Sequence, residues 1–110
     1  MNIAKMMQQA KAMQEKMQTM QTKMESVTVE GASGGGMVKV VMTCKGACVS
    51  ITIDPSLMKV EEREITEDLV KAAINDARAK GEAKVAEETQ KMMAEVGLPP
   101  GALGGGGLPF

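Results

Sequence analysis

Residues 3–24 read IAKMMQQAKAMQEKMQTMQTKM, and their apolar side chains fall at Ile3, Met6, Ala10, Met13, Met17, Met20 and Met24. Steps of three and four residues alternate without a break, which is the a/d stripe of a helix, and the positions between hold almost only Gln, Lys and Thr. A helix is expected over residues 2–25, with Asn2 as its N-cap and Lys23 in the last turn, where a cation suits the helix dipole. At ~1.5 Å per residue it runs roughly 30 Å, longer than the ~20 Å strands of a small sheet. Such a stripe has to be covered. The expectation is a seam shared by two copies of the chain, a homodimer, with lysines displayed beside it.

Working outward, Val27 and Val29 alternate with Thr28 and Glu30, which predicts a strand over 26–30. The glycine-rich run 31–36 follows as a turn or loop. A strand over 37–45 has Val38, Val40, Met42 and Cys44 on one face, and its return over 48–54 turns Val49, Ile51 and Ile53 inward. Gly46-Ala47 suits a two-residue hairpin loop, with Lys45 opposite Cys48, Met42 opposite Ile51 and Val40 opposite Ile53. Asp54-Pro55-Ser56-Leu57 reads as a cap and first turn, with Pro at the first helical position. A second long helix is expected over 63–96, apolar from Ile65 to Ala77 and projecting into solvent beyond Arg78. The Gly/Pro-rich residues 97–110 read as a flexible tail. The fold class is thus α+β: one domain over 1–96, with a long helix, a three-stranded antiparallel meander and a second long helix.

Composition excludes several function classes. The chain of 110 residues has no His, Trp or Tyr and a single Phe. Without His the usual general base near neutral pH is missing, and without aromatics there is no platform for stacking unpaired bases. No apolar run nears the ~20 residues of a membrane span, and the beginning of the chain lacks the apolar core of a signal peptide. A cytoplasmic, non-enzymatic protein with no cofactor, no metal and no small-molecule substrate is expected. The net charge is −1, yet residues 1–60 carry +3 and residues 61–110 carry −4. Any polyanion site is therefore local and belongs to the first half.

Other features have plain readings. The glycines at 31–36 precede a strand and lack a following Lys-Ser/Thr, so they make an inter-strand loop rather than a phosphate loop. Cys44 and Cys48 fall on opposite faces in the expected register and have no further zinc-type ligands nearby, so two reduced thiols are expected, Cys44 buried. Of the twelve methionines, seven lie within residues 1–24, mostly at packing positions. The acidic residues Glu61, Glu62, Glu64, Glu67 and Asp68 favour the start of the second helix through its dipole.

The lysines of the first helix carry the functional lead. At 100° per residue, Lys5, Lys16 and Lys23 form one row about 27 Å long, flanking the stripe by about 100°, with Gln9 on the same side. Charge and amides in a line suit phosphate oxygens of a duplex. Lysine-rich faces are also ordinary solvated faces, and spacing alone favours that. Arg78, Lys80 and Lys84 form a second, weaker cluster diluted by Asp76 and Glu82.

The segments Met6–Met17, Val29-Glu30-Gly31, Gly36–Val40, Ile51–Leu57 and Glu67–Ala77, with Leu98-Pro99-Pro100-Gly101 and Leu108-Pro109-Phe110, together resemble the YbaB/EbfC family of small bacterial nucleoid-associated proteins. The likeness runs through essentially the whole chain. It implies a homodimer whose long helices extend like the arms of tweezers and bind double-stranded DNA on the nucleoid. Carried over position by position, it implies DNA-binding roles for Lys5, Lys11, Lys16, Lys23 and Arg78. With six phosphates neutralised per dimer by the lysine row, log K should fall with log salt at a slope of about −5. The rival expectation is a protein–protein adaptor that captures a partner helix on the methionine-rich seam.

Overall fold

A computed structural model describes residues 2–95 of the chain. In chain order they form helix α1 (Ile3–Met24), strand β1 (Thr28–Ser33), a 3-10 turn (Gly34–Gly36), β2 (Val38–Thr43), β3 (Cys48–Ile53), 3-10 turns at Pro55–Leu57 and Val60–Glu62, and helix α2 (Arg63–Glu95). The sheet is antiparallel in the order β1-β2-β3. This is the expected α+β arrangement. The expected tail at 97–110 lies outside the described residues.

Local chemistry sets the ends of these elements. The Asn2 side chain accepts from the Ala4 and Lys5 amides at 3.1 and 3.3 Å, which starts α1 as expected. Asp54 accepts from the Ser56 amide at 2.9 Å and sets the turn that carries Pro55. Ser26 and Val27 bond back to the Lys23 carbonyl, so they close α1 rather than begin the strand.

The first strand therefore lies further along than the expected 26–30. It continues through Gly31, Ala32 and Ser33 because α2 lies directly on it. Gly31 has no side chain where the Ala73 carbonyl and the Ala77 amide stand, and a Cβ there would also come within 2.7 Å of Ala77 Cβ. The Ala32 amide donates to Asp76 at 3.0 Å, and the Ser33 hydroxyl donates to the Leu69 carbonyl. Only Gly34, Gly35 and Gly36 make the turn, all at positive φ of 61°, 68° and 95°. Further along the approach is looser: a Cβ added at Gly81 would meet Cys44 and Val29 only at ordinary van der Waals distance.

The hairpin between β2 and β3 also differs from expectation. The Gly46 amide donates to the Thr43 carbonyl at 2.9 Å, and the Thr43 amide to the Ala47 carbonyl at 2.8 Å. Cys44, Lys45 and Gly46 thus form a three-residue turn, with Gly46 at φ 94° supplying the left-handed step. Met42 then pairs with Cys48 while Val41 pairs with Ser50, leaving Val49 as a bulge. Below the bulge Val40 faces Ile51 and Val38 faces Ile53, two residues from the expected register. The expected pairs of Lys45 with Cys48, Met42 with Ile51 and Val40 with Ile53 are not formed.

Val38, Val40 and Met42 are buried against Leu57, Ala73 and Ala77, with Leu69, Val70 and Ile74 around them. Val49 and Ile51, expected inward, are 59% and 46% exposed. The reason is geometric: α2 is held close over β1 and β2, and one helix is too narrow to reach β3 as well. The second half of α2 does not stand in solvent as expected. Thr89, Met92 and Met93 are buried, and Thr89 touches Met20 of α1.

A methyl at position 31 meets backbone on two sides, which cannot yield as a side-chain tip would. Gly31→Ala should lower unfolding stability by about 3 kcal/mol, the upper part of the range for overpacked sites, as read from urea midpoints. An unchanged midpoint would mean that α2 does not rest on β1 in this way.

Candidate nucleic-acid interface

Beyond the sheet, α1 and the end of α2 run antiparallel as a two-helix arm, and the molecule measures 69 × 23 × 17 Å. Three contacts fix the register of the arm. Lys23 reaches Glu88 at 3.3 Å, the Thr89 hydroxyl reaches the Met20 sulfur at 3.7 Å, and Lys16 reaches Glu95 at 2.7 Å. The expected seam is therefore divided. Met20 and Met24 are buried, with Thr89 of the chain's own α2 against Met20, so that end is not open to a second copy. Met17 and Met13 are half-buried, while Ile3, Met6 and Ala10 are exposed.

The described part of α2 ends at Glu95, beside Lys16. From there α1 runs on to Ile3, over roughly 20 Å, with no other described element beside it. This tip carries Lys5 and Lys11 among the amides Asn2, Gln8, Gln9 and Gln14, and its first carboxylate is Glu15. Among the described residues neither Lys5 nor Lys11 has an ion-pair partner within 4 Å, unlike Lys16, Lys23, Lys84 and Lys91 further down the arm.

Glu88 gathers three lysines. Besides Lys23 at 3.3 Å it has Lys84 at 3.6 Å and Lys91 at 3.9 Å, and Lys91 also reaches Glu87 at 3.2 Å. The Glu88 side chain is only 13% exposed. The Lys23 hydrogen bond holds its carboxyl below the ordinary glutamate range; partial desolvation opposes this, and the charges of Lys23, Lys91 and Lys84 reinforce it. Lys91 was not singled out in the sequence reading, and Lys84 only within the weaker cluster. Their signal is the spacing 84–88–91, which puts all three side chains on one helix face.

The five candidate DNA-binding residues thus fall into three groups. Lys5 and Lys11 stand on the tip of α1, without an ion-pair partner among the described residues. Lys16 and Lys23 face carboxylates of α2. Arg78 is exposed beside the β2–β3 turn, near Lys45 and Glu82, roughly 25 Å along α2 from Glu95. Lys80 is held by Asp76 at 3.1 Å and by the Glu30 carbonyl at 3.0 Å.

Both cysteines are free. Cys44 is half-buried rather than buried, burial pushes its thiol pKa up, and Cys48 is exposed. Among the described residues no three Cys, Asp or Glu side chains converge as a metal site, and no helix is long and apolar enough to cross a membrane.

Because the folded-state pKa of Glu88 is depressed, its contribution is present above the ordinary glutamate value of about 4.3. It is lost as pH falls through the lower folded value. The melting temperature of the wild type should therefore fall between pH 6 and pH 3 by more than that of Glu88→Gln. Parallel pH profiles for the two proteins would show that Glu88 is not coupled to the lysines.

The family model described as the YbaB/EbfC DNA-binding family matches residues 1–96. A nucleoid-associated protein of Nitrobacter hamburgensis is 54% identical over 96 residues, covering 87% of this chain and 91% of its own length. A nucleoid-associated protein of Bradyrhizobium diazoefficiens is 54% identical over 99 residues, covering 90% and 93%. Among solved structures, the uncharacterized protein HP0035 of Helicobacter pylori superposes with a TM-score of 0.71 at 25% identity, over 84% of this chain and 98% of that one. With the helix–sheet–helix architecture already in place, these matches show that the chain belongs to the YbaB/EbfC DNA-binding family.

Proposed function

We propose that this chain is a nucleoid-associated protein that binds double-stranded DNA as a homodimer, chiefly through phosphates, in the bacterial cytoplasm. The observation that carries this reading is the tip of α1, where Lys5 and Lys11 lie beyond the level of Glu95 among amide side chains, with no carboxylate before Glu15 and no ion-pair partner among the described residues. Ammonium and amide donors satisfy phosphate oxygens without reading base edges. Among residues 2–95 there is no aromatic ring, which favours a duplex over unpaired bases that need stacking. The names of the relatives and of the family support the same reading. Lys16 and Lys23 contribute by exchanging a carboxylate of α2 for a phosphate, so they act second to Lys5 and Lys11. Arg78 is a further contact only if the duplex reaches down to the sheet. DNA organisation or gene expression is affected by occupancy, with no catalytic step.

The dimer is proposed to form over β3. Among the described residues its outer edge has no neighbouring strand, and Val49 and Ile51 are exposed beside it. Unprotected edges and apolar faces of this kind are where a second chain pairs. A stable dimer needs about 800 Å² from each partner, which the flat face of one strand and the adjoining turns can approach.

Binding to a duplex, followed by fluorescence anisotropy across salt, tests the first proposal. Lys5→Glu/Lys11→Glu should bind at least tenfold more weakly at low salt. Two lost lysines in each of two chains should make the log K against log salt slope shallower by roughly 3 to 4. Unchanged affinity and slope in a folded double variant would overturn the assignment, and a wild type that ignores DNA but captures a protein helix would favour an adaptor. For the dimer, Ile51→Glu should halve the mass seen by light scattering, whereas a wild type that is monomeric at micromolar concentration would overturn it.

A further inference from the structure

We propose that Lys23, Lys84 and Lys91 form a second phosphate seat on the flank of the arm, which the Glu88 carboxylate fills in the free protein and yields to a DNA backbone. This seat rests on the duplex binding proposed above and adds to it two lysines, Lys84 and Lys91, that the tip of α1 does not involve. Three ammonium groups from two helices converge on one carboxylate: Lys23 of α1 at 3.3 Å, and Lys84 and Lys91 of α2 at 3.6 and 3.9 Å. Residues 84, 88 and 91 share one face of α2. The contact of Thr89 with Met20 holds that part of α2 against α1, within reach of Lys23.

Charge and exposure both let the seat open. Glu88 and Glu87 serve three lysines, so three positive charges against two negative ones leave +1. Only Lys23 hydrogen-bonds to Glu88; Lys84 and Lys91 stand too far for that and are held to it by charge. The Glu88 side chain is 13% exposed, whereas those of Lys23 and Lys91 are 55% and 60% exposed. The lysines thus reach a nearly covered carboxylate from the solvent side, where a duplex arrives. A phosphate that draws one or two of them outward leaves another on Glu88, so the carboxylate keeps a partner in its half-covered place. Exposed pairs of this kind hold weakly, and a phosphate oxygen offers each ammonium an equivalent bond. Glu88 nonetheless cancels part of the charge the lysines present. The seat therefore fills where phosphate is already concentrated, as beside a duplex held by the tip of α1.

Fluorescence anisotropy of a duplex with the full-length protein, across salt, tests this through Glu88→Gln, which keeps the shape and an acceptor oxygen but removes the charge. It should bind about fivefold more tightly than the wild type at low salt. Its slope of log K against log salt should be steeper by roughly 2, for one more phosphate in each of two chains. Glu82→Gln changes the net charge equally but lies six residues earlier on α2 and has no ion-pair partner among the described residues. It should tighten binding by less than about twofold. Lys84→Gln should cost at least about fivefold more affinity beside Glu88→Gln than in the wild type. Should Glu88→Gln lose helix content, Glu88→Met, unbranched and apolar at a mostly covered position, takes its place in each comparison. Equal affinity of wild type and variant, with DNA bound by both, overturns the seat alone; absence of binding by either overturns the duplex reading with it. Equal gains from Glu88→Gln and Glu82→Gln also overturn the seat, because net charge then accounts for both. So does weaker binding by Glu88→Gln, which would make Glu88 the group that assembles the lysines for DNA.

Discussion

The backbone of α2 lies against the backbone of β1, and almost every other position in the molecule follows from that contact. It is possible only because Gly31 carries no side chain and the residues above it are Ala73 and Ala77. Small residues at a helix–strand contact bring the two axes together and leave little width to spare. The helix then covers β1 and β2, buries Val38, Val40 and Met42, and leaves β3 open on its inner face. By Gly81 the two elements have separated enough that a Cβ would meet Val29 and Cys44 only at ordinary contact distance. From there α2 leaves the sheet in the direction that meets the end of α1.

The arm that results has charge arranged in two zones. Near the sheet, Lys23, Lys84 and Lys91 share Glu88 and Glu87, and Lys16 has Glu95. Exposed pairs of this sort contribute little to stability, and they leave little net field. At the tip the carboxylates stop and the lysines do not. A chain of net charge −1 can in this way still present a cationic end, because the acidic residues are gathered on α2 and at its start. It is this local asymmetry, not the overall charge, that the proposed phosphate contact draws on.

Much of this was legible in the sequence. The 3-4 spacing of Ile3 to Met24, the Asn2 cap and the alternation of Val38, Val40 and Met42 located both α1 and the central strand. The errors have separate physical causes. Apolar alternation has a period of two, so it cannot distinguish the true hairpin register from one displaced by two residues; the three-residue turn at Cys44–Gly46 and the bulge at Val49 fall in that blind spot. Gly31 was read as the start of a loop because glycine marks loops more often than close contacts, and only the position of α2 tells the two apart. The spacing puts Lys5, Lys16 and Lys23 on one side of α1. At Lys16 and Lys23 the carboxylates of α2 approach, and no pattern within α1 reveals what lies opposite them.

Four thioethers are buried in the arm: Met20, in contact with Thr89, and Met24 on α1, and Met92 and Met93 on α2. An unbranched side chain with three rotatable bonds adapts to a displaced neighbour where leucine or isoleucine would resist. A contact built this way holds two helices together without fixing their crossing angle sharply. The arm can thus yield at its base at small energetic cost while its ion pairs keep the two helices in register.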